Sequence, residues 1–125
     1  MLKLKLTPQA VNDLEEIYNY TFANWGIHQA EKYQDDLFDW MTIITENPNI
    51  GKPYPFSKLL YRKSHINKHL VFYRVDNKDC IVVRVLHERM NFEDHLANKY
   101  SKTVNRWFRP NLIDYYIKNQ LKLVA

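Results

Sequence analysis

Two amphipathic stripes with little more than a glycine between them constrain this chain more than any other feature. Apolar residues recur at Ala10, Val11, Leu14, Ile17, Tyr18, Phe22 and Trp25, the spacing of one helix face, which leaves Asn12, Asp13, Glu15, Glu16 and Asn19 for the opposite face. Thr7-Pro8 offers an N-cap and a proline at the first helical position, and Gly26 ends the run. A second stripe, Ala30, Tyr33, Leu37, Trp40, Met41 and Ile44, begins almost at once and closes at Asn47-Pro48, with Glu31, Asp35, Asp36 and Asp39 outward. So short a link forces an antiparallel helical hairpin, and its acidic back reads as a solvated face.

Around the hairpin the period changes from 3.6 to two. Leu2, Leu4 and Leu6 alternate with Lys3 and Lys5, the pattern of a strand with one buried face. Residues 48–57 hold three of the five prolines and read as a stiff surface loop, either a crossing connection or a functional edge. A strand then begins at Leu59 and turns basic at Arg62 and Lys63. His69–Val75 and Cys80–His87 form a hairpin across Asp76-Asn77-Lys78-Asp79. With the turn centred on Asn77-Lys78, Val75 faces Cys80, Tyr73 faces Val82 and Val71 faces Arg84. One face then carries Phe72, Arg74, Ile81, Val83, Val85 and His87, the other Val71, Tyr73, Cys80, Val82, Arg84 and Leu86. Each face has one mid-strand arginine, so the pattern alone does not say which face meets the helices, and a bulge would change the assignment past it.

Residues 98–125 differ in character. Lys99, Lys102, Arg106 and Arg109 lie among Tyr100, Trp107 and Phe108, and after Pro110 the residues Leu112, Ile113, Tyr116, Ile117 and Leu121 recur at helical spacing, which predicts a third amphipathic helix. The expected fold is therefore α+β: an N-terminal strand and an antiparallel helix hairpin packed on an antiparallel sheet, as one domain over residues 1–97, followed by a basic aromatic extension.

At 125 residues one core is available. No apolar run approaches the roughly 18 to 20 residues of a membrane span, and no secretory signal opens the sequence, so it reads as a cytosolic protein. The lone Cys80 reads as a packed thiol. The net charge of +4 hides a division. Residues 1–50 have three lysines against eight carboxylates, and residues 51–125 have fifteen cationic side chains against six. The second half is the one that attracts an anionic partner. His65, His69, His87, His95 and Cys80 match no tetrahedral spacing, so no metal is expected, and no cofactor fingerprint occurs.

Five separated motifs then occur in order: Leu6-Thr7-Pro8-Gln9-Ala10 with Asp13-Leu14; Trp25-Gly26 with Gln29-Ala30 and Tyr33; Asn47-Pro48 with Gly51; His69 to Val75; and Arg84 to Met90. Together, over residues 2–96, they resemble a ParE toxin of the RelE/ParE superfamily of type II toxin–antitoxin modules. The resemblance implies a ParD-like antitoxin, which alone would contact operator DNA, and inhibition of DNA gyrase by binding without chemistry of the toxin's own. The extension at residues 98–125 reads as part of the same domain or as an oligomer contact, which allows a homodimer or hetero-oligomer. The alternatives are mRNA cleavage on the ribosome, as in relatives resembling RelE and YoeB, and a binding module without toxicity.

The candidate contacts for target or antitoxin are Arg62, Tyr73, Arg74, Arg84, His87 and Arg89. In the nuclease alternative His87, Arg84, Arg89 and Tyr73 would supply proton transfer and phosphorane stabilisation. That alternative is weakened at His69, where the nucleases carry an arginine, and at Glu88, where YoeB-like enzymes carry a tyrosine. In the register above, His69 and His87 also lie on opposite faces. Arg84, a guanidinium among Val and Leu, either finds a carboxylate or lines an open sheet face.

Overall fold

The computed structural model describes residues 1–56 and 59–90. The expected extension and third helix at residues 98–125, and the apolar Phe92 and Leu96, lie outside the described residues. Strand β1 (Lys3–Leu6) leads into α1 (Pro8–Trp25) and α2 (Ile27–Glu46). A 3₁₀ turn (Pro48–Ile50) precedes β2 (Lys52–Phe56), β3 (Leu59–Ile66), β4 (His69–Asp76) and β5 (Asp79–His87). The sheet order is β1-β5-β4-β3-β2. It is mixed, because β1 runs parallel to β5 while the other pairs are antiparallel. A parallel pair needs a long crossover, and the helix hairpin supplies part of it.

Thr7 caps α1 as its sequence suggests, its Oγ1 accepting the Ala10 N–H at 3.1 Å. The same hydroxyl donates to the Val83 carbonyl at 2.8 Å, so the cap also fastens the start of α1 to β5. Gly26 alone separates the two helices, at φ +90°, a conformation that a side chain disfavours. Between helices and sheet lie Ala10, Leu14, Leu37, Phe38, Met41 and Ile44, packed against Val71, Tyr73, Cys80, Val82 and Val85.

The stripe of α1 outruns this core. Phe22 is 49% and Trp25 64% exposed. Ile17 is the last residue of α1 and Tyr33 the first of α2 to join the sheet-side cluster. The eight residues that follow Ile17, up to Trp25, therefore carry the hairpin tip about 12 Å past that contact. Helical spacing records which side of a helix is apolar and not where the sheet beneath it stops.

Three other expectations change. The proline-rich stretch contains an edge strand, β2, carrying Pro53 and Pro55. Two prolines with the same parity are compatible with pairing on one side only, which suits the last strand of a sheet. Asp13 does not face solvent, being 5% exposed. The β4–β5 register also slips. Val75↔Cys80 and Tyr73↔Val82 are as expected, but a bulge opposite Phe72/Tyr73 makes Phe72 partner Arg84, Val71 partner Val85 and His69 partner His87. Beyond the bulge the faces exchange, so Val85 points to the helices and Leu86 away from them. His69 and His87 become neighbours, contrary to the expectation that they lie on opposite faces.

Candidate binding surface on the sheet

The bulge decides where the site candidates go. Arg84 lies opposite Phe72 and reaches back to α1, where its Nε donates to Asp13 Oδ2 and its Nη2 to Asp13 Oδ1, both at 2.8 Å. The Val85 N–H donates to the same carboxylate at 2.9 Å. The side chains of this pair are 13% and 5% exposed. Of the two fates open to Arg84, the structure takes the carboxylate and not the open sheet face. A two-pronged guanidinium–carboxylate contact with a backbone donor added is the geometry in which a buried pair offsets its own desolvation.

Tyr73 is likewise internal. It is fully buried, its Oη donating to the Pro48 carbonyl at 2.7 Å and accepting the Gly51 N–H at 2.9 Å. Burial pushes its phenol above the usual range. Arg62, beside it across β3, donates through Nη1 to the Gly51 carbonyl at 2.7 Å. Tyr73 and Arg62 together pin the turn between α2 and β2.

The face of the sheet turned away from the helices has another character. Tyr61, Phe72, Val83 and Leu86 form its floor, with Tyr54, Phe56, Leu70 and Ile81 around them. Tyr54 meets Phe72 edge-on at 5.6 Å between ring centroids. Lys63 Nζ stands 5.2 Å from the centre of the Tyr54 ring, a cation–π contact. In register with Ile81, Arg74 is 28% exposed, its Nη1 3.7 Å from Asp76 Oδ2. His65, at 3.2 Å from Glu88, completes this rim. The rim bears three basic side chains around an aromatic and aliphatic floor, and Arg89 stands exposed just beyond β5. Among the predicted contacts, Arg74 and Arg89 thus reach the surface, His87 does so in part, and Tyr73 and Arg84 do not.

Sequence reasoning missed a residue that the bulge brings in. The Tyr33 Oη lies 2.6 Å from His69 Nδ1, and the His69 and His87 rings meet edge-on with centroids 5.5 Å apart. Burial holds the Tyr33 phenol above its ordinary value, and the direction of its hydrogen bond with His69 follows the imidazole tautomer. The Arg89 N–H donates to His87 Nδ1 at 3.1 Å. Burial first, and then the charge of His87, lower His69 to about 4 against the opposing effect of Glu88. The only sequence signal for this cluster was the company of His69, His87 and Tyr33, scattered over 55 residues.

The depressed value makes stability depend on pH. Unfolded, His69 titrates at about 6.5, so between about 6.5 and 4 the unfolded chain binds the extra proton and the folded one does not. The stability contribution is complete above that window and is lost as pH falls through it. Urea midpoints measured from pH 7.5 to 4 should fall more steeply for the wild type than for His69→Gln; parallel curves would contradict the assignment.

Cys80 is fully buried on the helix side, and burial pushes its thiol up to about 11, so it stays protonated and unreactive. Among the described residues no group of three His, Cys, Asp or Glu is placed to hold a metal ion, and no helix is long and apolar enough to cross a membrane.

Residues 4–92 match the family described as "ParE toxin of type II toxin-antitoxin system, parDE". The Toxin ParE1 of Caulobacter vibrioides is 35% identical over 97 residues, which is 78% of this chain and all of that protein. The Toxin ParE1 of Mycobacterium tuberculosis is 40% identical over 92 residues, 73% of this chain and 94% of that protein. A solved structure described as a chromosomal ParDE toxin–antitoxin system from P. aeruginosa superposes with a TM-score of 0.61 at 23% identity, covering 70% of this chain and 96% of that one, a likeness of fold.

Proposed function

Because the chain belongs to the ParE toxin family of type II toxin–antitoxin systems, we propose that it acts in the cytoplasm by binding DNA gyrase and is neutralised by a ParD-like antitoxin. The observation that carries this reading is the commitment of Tyr73 and Arg84 to internal partners. Two of the four side chains that a nuclease mechanism would need are turned away from any substrate. What reaches the surface is Arg74, Lys63 and Arg89, which can hold an anionic or amphipathic partner but break no bond. Inhibition needs only a higher affinity for the gyrase state that holds cleaved DNA, because that difference alone shifts the population. An antitoxin segment with acidic and apolar side chains complements the same rim and would exclude gyrase by occupying it.

Ribosome-dependent mRNA cleavage is a second reading, favoured by one observation: the bulge places His69 beside His87. His69, lowered to about 4, is unprotonated at neutral pH and free to accept a proton, though that value makes it a weak base. The reading gains this group while the phosphorane loses Arg84 and the leaving oxygen loses Tyr73.

Purified protein added to a gyrase supercoiling reaction and, in parallel, to translating ribosomes with primer extension distinguishes the two. The expected result is lost supercoiling with accumulated cleaved DNA and an intact message. Codon-spaced cuts with normal supercoiling would overturn the proposal.

A further inference from the structure

The hairpin tip that outruns the sheet carries a large apolar surface away from the core. Tyr20 and Trp25 are each 64% exposed and Ile27 47%, with the exposed Phe22 just behind them on α1. Tyr20 and Trp25 meet edge-on with ring centroids 5.9 Å apart, and Tyr18 stacks on Phe22 at 6.4 Å. Aromatic side chains ordered against one another in water, and not tucked onto the core, are the anchors from which protein contacts are built.

The charge around the tip selects its partner. The helices α1 and α2 together hold eight carboxylates and one lysine. Lys32 is already paired with Asp36 at 3.1 Å, and Asp13 is taken by Arg84. Two of the other carboxylates belong to the tip: Glu16 is exposed one turn before Tyr20, and Glu31 is exposed one turn after Ile27. A second copy in a two-fold contact sets these carboxylates against their own images, and an anionic segment is repelled by them. A guanidinium gains twice, by pairing with a carboxylate and by lying over the face of Tyr20 or Trp25. The net charge of +4 on the whole chain runs against such a partner, so the attraction at the tip is local.

We propose that the hairpin tip, through Tyr20, Trp25, Ile27 and the carboxylates of Glu16 and Glu31, is a docking site for an arginine-rich amphipathic helix of a partner protein. The apolar face of that helix covers the exposed rings while its arginines reach the two glutamates. The hairpin packs on one face of the sheet, and Lys63 and Arg74 stand on the other with the opposite charge. The two surfaces therefore sort partners by sign, and the tip can be occupied while an acidic segment holds the rim. The site is independent of gyrase as the target.

The test uses the full chain and two fluorescein-labelled synthetic helical peptides that share a leucine face, one with arginine and the other with glutamate on the polar face. At physiological salt, fluorescence anisotropy is expected to show the arginine peptide bound at least tenfold more tightly by the wild type than by Tyr20→Ser/Trp25→Ser, whose altered side chains stand in solvent. Glu16→Gln/Glu31→Gln should weaken the arginine peptide several-fold and leave the glutamate peptide unchanged. Far-UV circular dichroism checks that each variant remains folded, and Ile27→Ser/Glu31→Gln replaces a variant that fails. No binding of the arginine peptide by the wild type, or equal affinity in the wild type and the folded tip variants, would overturn the proposal. So would a wild-type dimer in size-exclusion chromatography that Trp25→Ser converts to a monomer, because the tip would then join two copies.

Discussion

Asp13→Ala is expected to destabilise the fold by about 3–5 kcal/mol, a large part of what holds a domain of this size together. The substitution removes little volume, and its cost is electrostatic. It leaves the Arg84 guanidinium, 13% exposed, without the two oxygens that it meets at 2.8 Å, and it strips the Val85 N–H of its acceptor. Replacing both partners should behave differently. In Asp13→Asn/Arg84→Gln no charge is buried and an amide oxygen can still accept from Val85, so more than half of the loss should return. Urea unfolding of Asp13→Asn, Arg84→Gln and the double variant measures this. A double variant as unstable as the sum of its parts would show that the two side chains act separately.

The second large effect is expected at Gly51. A Cβ built there would lie 2.5 Å from the Tyr73 Oη, 2.8 Å from its Cε1 and 3.0 Å from the Lys63 carbonyl. The phenol cannot retreat without releasing the Pro48 carbonyl and the Gly51 N–H, and the Lys63 carbonyl is fixed within β3. Overpacking together with weakened hydrogen bonds predicts that Gly51→Ala costs about 2–4 kcal/mol. The backbone at Gly51 is extended, with φ −78°, so the penalty is steric and depends on the phenol oxygen. Gly51→Ala should therefore cost less in a Tyr73→Phe background than in the wild type. An equal cost in both backgrounds, by urea unfolding, would place the clash elsewhere.

These two sites show what the sequence carries and what it does not. The hairpin was legible because roughly ten turns of chain repeat one spacing and Gly26 interrupts it, and the family resemblance was legible because its motifs are words held in order. The bulge was not. Period two counts residues and has no signal for one that fails to pair, so Val85, Leu86 and His87 were assigned to the wrong faces. That single extra residue turns Val85 inward, Leu86 outward and His87 towards His69. Asp13 and Arg84 lie 71 positions apart, and each taken alone resembles a surface charge; only the tertiary contact gives either its role. Likewise the prolines of β2 announced a loop because proline excludes most strands, though an edge strand accepts it on its free side. Arg74 and Arg89, among the predicted contacts, keep the surface position that a partner needs.

The central claim is that Arg84 serves the fold and that the proposed inhibition of gyrase is exerted through the surface. The most direct test is gyrase inhibition by the Asp13→Asn/Arg84→Gln protein at a temperature where circular dichroism shows it folded. Inhibition within about twofold of wild type is the predicted result. A folded double variant that leaves supercoiling untouched would contradict the claim and return Arg84 to the site of action.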